Sequence, residues 1–144
     1  MDPAGTLWAP KWLVDAVGID SFASVVSVRH LTASSDGDLA RIGSLSRLQA
    51  LELAGSSVTD WGLASLAGLI CLRSLNLRRS EVTDAGLRHL SRLTALEEVD
   101  ISNTRITDTG LMRLKQFGRV ETLRCEGSRI TDRGLAEFYD DGLR

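Results

Sequence analysis

From Leu48 onward the apolar residues of the chain fall in a fixed order. A short alternating run, L-x-x-L-x-L, is followed by a polar gap, an isolated Val or Ile, and then G-L-x-x-L-x-x-L. The order returns every 24 residues. Leu48, Leu72, Leu96 and Val120 occupy one column, as do Leu51, Leu75, Val99 and Leu123, and then Leu53, Leu77, Ile101 and Cys125. A fixed period of this length marks a stacked-repeat architecture, in which each unit buries its apolar face against its neighbours.

Each unit carries two periodicities. The alternating run predicts a strand with one buried face. The apolar positions at i, i+3 and i+6 predict a short helix with an inward stripe. Polar columns mark the joints. Ser56, Ser80, Thr104 and Ser128 follow the strand, and Val58, Val82, Ile106 and Ile130 precede a Thr-Asp pair ending at Asp60, Asp84, Asp108 and Asp132. Gly62, Gly86, Gly110 and Gly134 come two residues later. A carboxylate at a helix start can accept from first-turn amides and complements the helix dipole, so the aspartates are expected to cap. The preceding threonine is a second candidate for that task. The glycine is expected to let neighbouring coils approach closely.

These elements predict an α/β solenoid of about five coils, a right-handed βα superhelix with parallel strands on the concave side and helices on the convex side. Residues 22–144 form the repeat domain, with units 22–47, 48–71, 72–95, 96–119 and 120–144. The first unit is degenerate. Val26 and Val28 align with Leu51 and Leu53, whereas Leu39, Ile42 and Leu45 align with Leu63, Leu66 and Leu69. That alignment implies one inserted residue near Ser34–Gly37, with Asp36 or Asp38 as the cap. Residues 1–21 are expected to close the open end of the stack, as terminal repeats require. Within them a short helix over residues 8–18 would pack Trp8 and Trp12 against the first coil. The last unit runs down at Asp140 and Asp141, which suits either a polar end or a longer array.

The motif L-x-x-L-x-L-x-x-S/T-x-V/I-T-D-x-G-L-x-x-L-x-x-L resembles the leucine-rich repeat. Its I-T-D-x-G-L core is similar to the ribonuclease-inhibitor-like and cysteine-containing repeats of F-box adaptors, and closest to short bacterial repeats with T-D-x-G-L. The resemblance covers about Phe22 to Phe138. Two departures stand out. The usual Asn or Cys column is Ser/Thr, whose hydroxyl is expected to bond the backbone of the next coil, and no F-box is visible upstream. The resemblance implies a non-catalytic protein-interaction module that uses its concave face.

In-register strands set equivalent residues in columns about 4.8 Å apart. The expected middle column of the concave face is Ser27, Glu52, Asn76, Asp100 and Arg124. Val25, Ala50, Ser74, Glu98 and Thr122 flank it on one side. Arg29, Ala54, Arg78, Ser102 and Glu126 flank it on the other. The candidate protein-binding residues are Glu52, Asn76, Arg78, Glu98, Asp100 and Arg124. Arg78, Arg79, Arg105 and Arg129 lie in the turns after the strands, with Arg133 at a helix start. Glu81, Glu126 and the aspartates lie along the same edge, so local ion pairing is expected there. Trp61 fills the variable slot between aspartate and glycine, either as an interface anchor or packed onto the first unit's loop.

Composition narrows the chemistry. The net charge is −2 over 144 residues, which gives no bulk attraction to nucleic acid or anionic membrane. The two cysteines sit at unrelated points, which favours a reducing, cytoplasmic setting without disulfides. No apolar run approaches the ~20 residues of a membrane span. The N-terminus lacks the pattern of a secretory signal. His30 and His89 have no Cys or His at ligand spacing, so no metal and no cofactor is expected. No phosphate-binding loop or nucleophile elbow occurs. The chain is therefore expected to be a monomeric, non-enzymatic binder of another protein or peptide. A structural or regulatory fragment of a longer repeat protein is one alternative. An arginine-edge binder of nucleic acid or a phosphorylated ligand is the other.

Overall fold

From β2 onward the chain completes one coil every 24 residues, and five coils stack through a single parallel sheet. The computed structural model describes residues 27–28, 35–117 and 119–140. Segment 1–21, expected to cap the stack with Trp8 and Trp12, lies outside the described residues, as do Val25, Val26, Arg29, His30, Asp141 and Leu143. The strands are β1 (Ser27–Val28), β2 (Ala50–Glu52), β3 (Ser74–Asn76), β4 (Glu98–Asp100) and β5 (Thr122–Arg124), hydrogen-bonded in chain order. The helices are α1 (Asp36–Ile42), α2 (Asp60–Ala64), α3 (Asp84–Leu87), α4 (Asp108–Gln116) and α5 (Asp132–Asp140). Short 3-10 turns extend α2 over Ser65–Gly68 and α3 over Arg88–Leu90. That tighter turn suits leucines three residues apart, which it stacks on one side.

The core is the set of apolar columns. Leu51, Leu75 and Val99 from the strands meet Leu63, Leu87 and Leu111 from the helices, and all are buried. Burial of each such side chain is worth about 1.5–3 kcal/mol, so the columns carry most of the stabilising energy. Each coil contacts mainly its neighbours, as a one-dimensional stack requires.

The first coil departs from the expected register. Ser27 pairs with Ala50 and Val28 with Leu51, an offset of 23 residues, against 24 between later strands. The loop after β1 is thus one residue shorter than in later coils, not one longer. A strand has a side-chain period of two, so shifting by two residues leaves the same face inward, and the apolar pattern fits both alignments. Ser27 consequently joins the column of Ala50, Ser74, Glu98 and Thr122 rather than that of Glu52.

The Thr-Asp column also works differently from expectation. Thr59, Thr83 and Thr107 are the N-caps, and their hydroxyls accept from the amides of Trp61, Ala85 and Thr109 at 3.2–3.3 Å. Each aspartate reaches across to the following coil. The Thr83 amide donates to Asp60 Oδ1 at 2.8 Å and the Thr83 hydroxyl to Oδ2 at 2.6 Å. The same pair of bonds joins Thr59 to Asp36, Thr107 to Asp84 and Thr131 to Asp108. The carboxylate is a clasp between coils, and the threonine caps the helix while donating to it. The recurring glycine makes room: a Cβ at Gly86 would collide with Asp60 Oδ1, and one at Gly110 with Asp84 Oδ1.

Asp36 and Asp38 divide two tasks in the first coil. Asp36 forms the clasp to Thr59. Asp38 stands where later coils have glycine, and its Oδ2 accepts from the amide and hydroxyl of Ser35 at 3.0 and 3.2 Å. Three members of the hydroxyl column, expected to bond the next coil, instead close the turn of their own coil. Ser80, Thr104 and Ser128 donate to the carbonyls of Leu77, Ile101 and Cys125, three residues back. A side chain this close to its own turn meets the carbonyl just after the strand before it can reach a neighbouring coil.

Candidate binding surface

The concave face is made by the outward residues of three-residue strands. Each of β2 to β5 ends in a turn whose fourth residue is left-handed: Gly55, Arg79, Asn103 and Gly127 have φ of 72°, 57°, 56° and 66°. Two side chains of the middle column help to form these turns. Asn76 Oδ1 accepts from the Arg78 amide at 3.0 Å, and Asp100 Oδ1 from the Ser102 amide at 2.9 Å. Asn76 and Asp100 are therefore partly committed to their own backbone, a role that column position alone does not reveal.

Five of the six candidate residues surround one depression of about 220 Å³: Glu52, Asn76, Glu98, Asp100 and Arg124. Arg78 is not among its lining residues and stands exposed in the turn beyond β3. The depression gathers three carboxylates and one guanidinium. Glu52, Glu98 and Arg124 have side chains in no hydrogen bond or ion pair among the described residues. Cys125 is partly buried beside this face. Burial, and secondarily the Asp100 carboxylate, push its thiol pKa above the usual value. A thiol so shifted stays protonated near neutral pH and is a poor nucleophile. Among the described residues no group of three or more His, Cys, Asp or Glu could hold a metal ion.

The arginine edge is less neutralised than expected. Arg78, Arg79, Arg105 and Arg129 are exposed. Their guanidinium groups take part in no hydrogen bond or ion pair among the described residues, because the neighbouring aspartates are occupied by threonine. Arg133 does pair, with Glu137 at 3.0 Å, and Arg73 bridges to Glu97 of the next coil at 3.1 Å. Trp61 is 83% exposed, which removes the packed alternative. Its slot at the second helical residue points away from the core, as Ala85 and Thr109 do.

No helix among the described residues is long and apolar enough to cross a membrane. A leucine-rich repeat family model matches residues 68–91 and 92–115. No curated protein matches the chain. Among solved structures, an internalin from Listeria monocytogenes is similar over 70% of the chain, at 24% identity and a TM-score of 0.61. An internalin C2 from the same organism is similar over 81%, at 22% identity and a TM-score of 0.53. The chain spans 29% of the first and 65% of the second. Repeat match, parallel architecture and structural likeness agree that this chain folds as a leucine-rich-repeat solenoid.

Proposed function

We propose that the chain is a non-catalytic protein-interaction module whose concave sheet binds a protein or peptide. The observation that carries this reading is the depression, where Glu52, Glu98 and Arg124 stand on a five-stranded parallel sheet with no side-chain bond among the described residues. Five strands make a face only about 20–25 Å across, which suits a peptide, a helix or one edge of a domain. Affinity then rests on a few central side chains rather than on area. With carboxylates in excess, the partner segment is read as basic. The repeat is read as the short bacterial T-D-x-G-L type, and both internalin relatives are bacterial. The free cysteines Cys71 and Cys125 support a reducing, cytoplasmic setting, and the protein is read as a monomer.

Titration with labelled lysine- and arginine-rich peptides, against acidic ones of equal length, tests the charge reading. Glu98→Lys with Glu52→Lys should abolish a preference for basic peptides while leaving the fold intact. Equal binding of both peptide classes, or binding untouched by the double variant, would refute it.

The unpaired arginines favour a second reading, binding of nucleic acid or a phosphorylated ligand along that edge. Oligonucleotide titration at two salt concentrations separates the two, since contacts with several phosphates weaken steeply with salt.

A further inference from the structure

Beyond the turns that follow the strands, the coils are joined by a second, shorter ladder. The Glu81 amide donates to the Val58 carbonyl at 3.1 Å, that of Arg105 to Val82 at 3.2 Å and that of Arg129 to Ile106 at 3.0 Å. An isolated parallel bridge joins Thr107 and Arg129 at the same place. Ser57, Glu81, Arg105 and Arg129 are equivalent residues of successive coils, and all four are exposed. Ladder spacing sets neighbours in such a column about 4.8 Å apart, with their side chains side by side. Arg105 and Arg129 are neighbours in it. Like charges set side by side across a ladder repel each other and are destabilising.

No carboxylate among the described residues relieves that repulsion. Asp84 and Asp108 reach to Thr107 and Thr131, two residues past Arg105 and Arg129. Each spends one oxygen on the threonine amide and the other on its hydroxyl. Glu81 stands one spacing before Arg105, and Glu126 lies in the turn before Arg129. Neither is in an ion pair among the described residues. Arg105 belongs to the fourth coil, which has a coil on either side, and its guanidinium is as unbonded there as that of Arg129. The uncompensated charge is thus a property of the turn edge.

We propose that Arg105 and Arg129 together bind one phosphate monoester, the phosphorylated side chain of a partner protein. This deepens the second reading given above and rests on it. A dianion between two guanidinium groups cancels their repulsion and accepts from both planar forks. A phosphorylated side chain offers three acceptor oxygens and nearly two charges, whereas each phosphate linking two nucleosides offers two free oxygens and one charge. The column also fails as a track for a polyanion. A strand laid along it runs from the two arginines onto Glu81, and a single phosphate between the arginines does not.

The test titrates the full chain with a short, end-blocked glycine-serine peptide carrying one phosphoserine, with its unphosphorylated twin, and with a mixed single-stranded oligonucleotide. Amide chemical shifts report binding and its place. The phosphopeptide should bind about tenfold or more tighter than its twin, with shifts centred on Arg105 and Arg129. Its affinity should rise between about pH 5 and about pH 7.5, because the second phosphate proton is lost near pH 6 while arginine stays charged. Arg105→Gln with Arg129→Gln should abolish the preference for the phosphopeptide. Arg92→Gln, which removes one exposed arginine just past the 3-10 turn after α3, should leave it unchanged. Equal binding of the two peptides, a preference that survives the double variant, or an affinity indifferent to pH would each overturn the proposal. Oligonucleotide binding tighter than that of the phosphopeptide and steeply weakened by salt would overturn it too, while keeping the second reading, since the edge would then serve a polyanion. Absence of binding by both the phosphopeptide and the oligonucleotide would remove the two together.

Discussion

The Oδ1 atom of Asp60 occupies the space that a Cβ of residue 86 would need. These residues lie in different coils, and each is explained by the other. The carboxylate can reach Thr83 only because residue 86 is glycine, and the glycine is required because the carboxylate is there. A helix start tolerates glycine at small cost in its first turn, so close approach between coils is obtained where it disturbs the helix least.

Loss of one clasp should be measurable. Asp84→Ala leaves the amide and hydroxyl of Thr107 without their acceptors. Chemical denaturation should show a loss of about 1–3 kcal/mol. Asp84→Asn should cost less, since one amide oxygen still accepts from the Thr107 amide. An unchanged midpoint for Asp84→Ala would mean that the clasp contributes nothing.

Asp60 and Gly86 should be strongly non-additive. Gly86→Ala in the native background displaces the Asp60 carboxylate and should destabilise by about 1–3 kcal/mol. In an Asp60→Ala background the same change meets mainly Leu63 Cδ1 and should cost clearly less. Additive effects in the double-mutant cycle would show that the carboxylate is not what excludes the side chain.

Acid should weaken the last clasp. The Thr131 hydroxyl, then the Thr131 amide, hold the Asp108 carboxyl pKa below its ordinary value of 3.8, with Arg133 helping and burial opposing. A carboxylate with a lowered native pKa stabilises the fold above its unfolded pKa. That contribution is lost as pH falls through the native value. Stability should therefore drop below about pH 4, the ordinary aspartate range. Asp108→Asn should remove part of the slope there while leaving the neutral-pH behaviour of other coils alone. Denaturation midpoints from pH 2 to pH 7 would show it.

The left-handed column offers changes of opposite sign. Arg79 holds φ of 57°, which costs a side-chain-bearing residue about 1–2 kcal/mol relative to glycine. Arg79→Gly should raise the thermal midpoint, less the entropy that glycine adds to the unfolded chain. Gly127→Ala should lower it, because its φ is 66° and its Cβ would press on Asn103 Oδ1. Shifts in the same direction would exclude backbone conformation as the cause.

Ser56 and Ser80 are equivalent by position but not by bonding. Ser80 Oγ donates to the Leu77 carbonyl at 2.6 Å, whereas buried Ser56 Oγ has no partner among the described residues. Ser80→Ala should lose about 0.5–1.5 kcal/mol, and Ser56→Ala should be neutral or stabilising. Equal losses in parallel denaturation curves would show that Ser56 does find a partner in solution.

The 24-residue recurrence of Leu51, Leu75, Val99 and Leu123 by itself determined the coils, the inward faces and the columns on the concave sheet. Apolar burial is a local property of each position, and a strict period carries it from coil to coil. The same periodicity places Glu52, Glu98, Asp100 and Arg124 on one face. Tertiary structure decided whatever depends on contacts between coils or on alternatives of equal pattern. The partner of Asp60 lies 23 residues away, at Thr83, and the sequence around Asp60 reads equally well as a helix cap. The β1 register was open because a shift of two residues preserves inside and outside. The exposure of Trp61, and the turn-making commitments of Asn76 and Asp100, depend on how side chains meet their surroundings in space, to which a column of equivalent positions is blind.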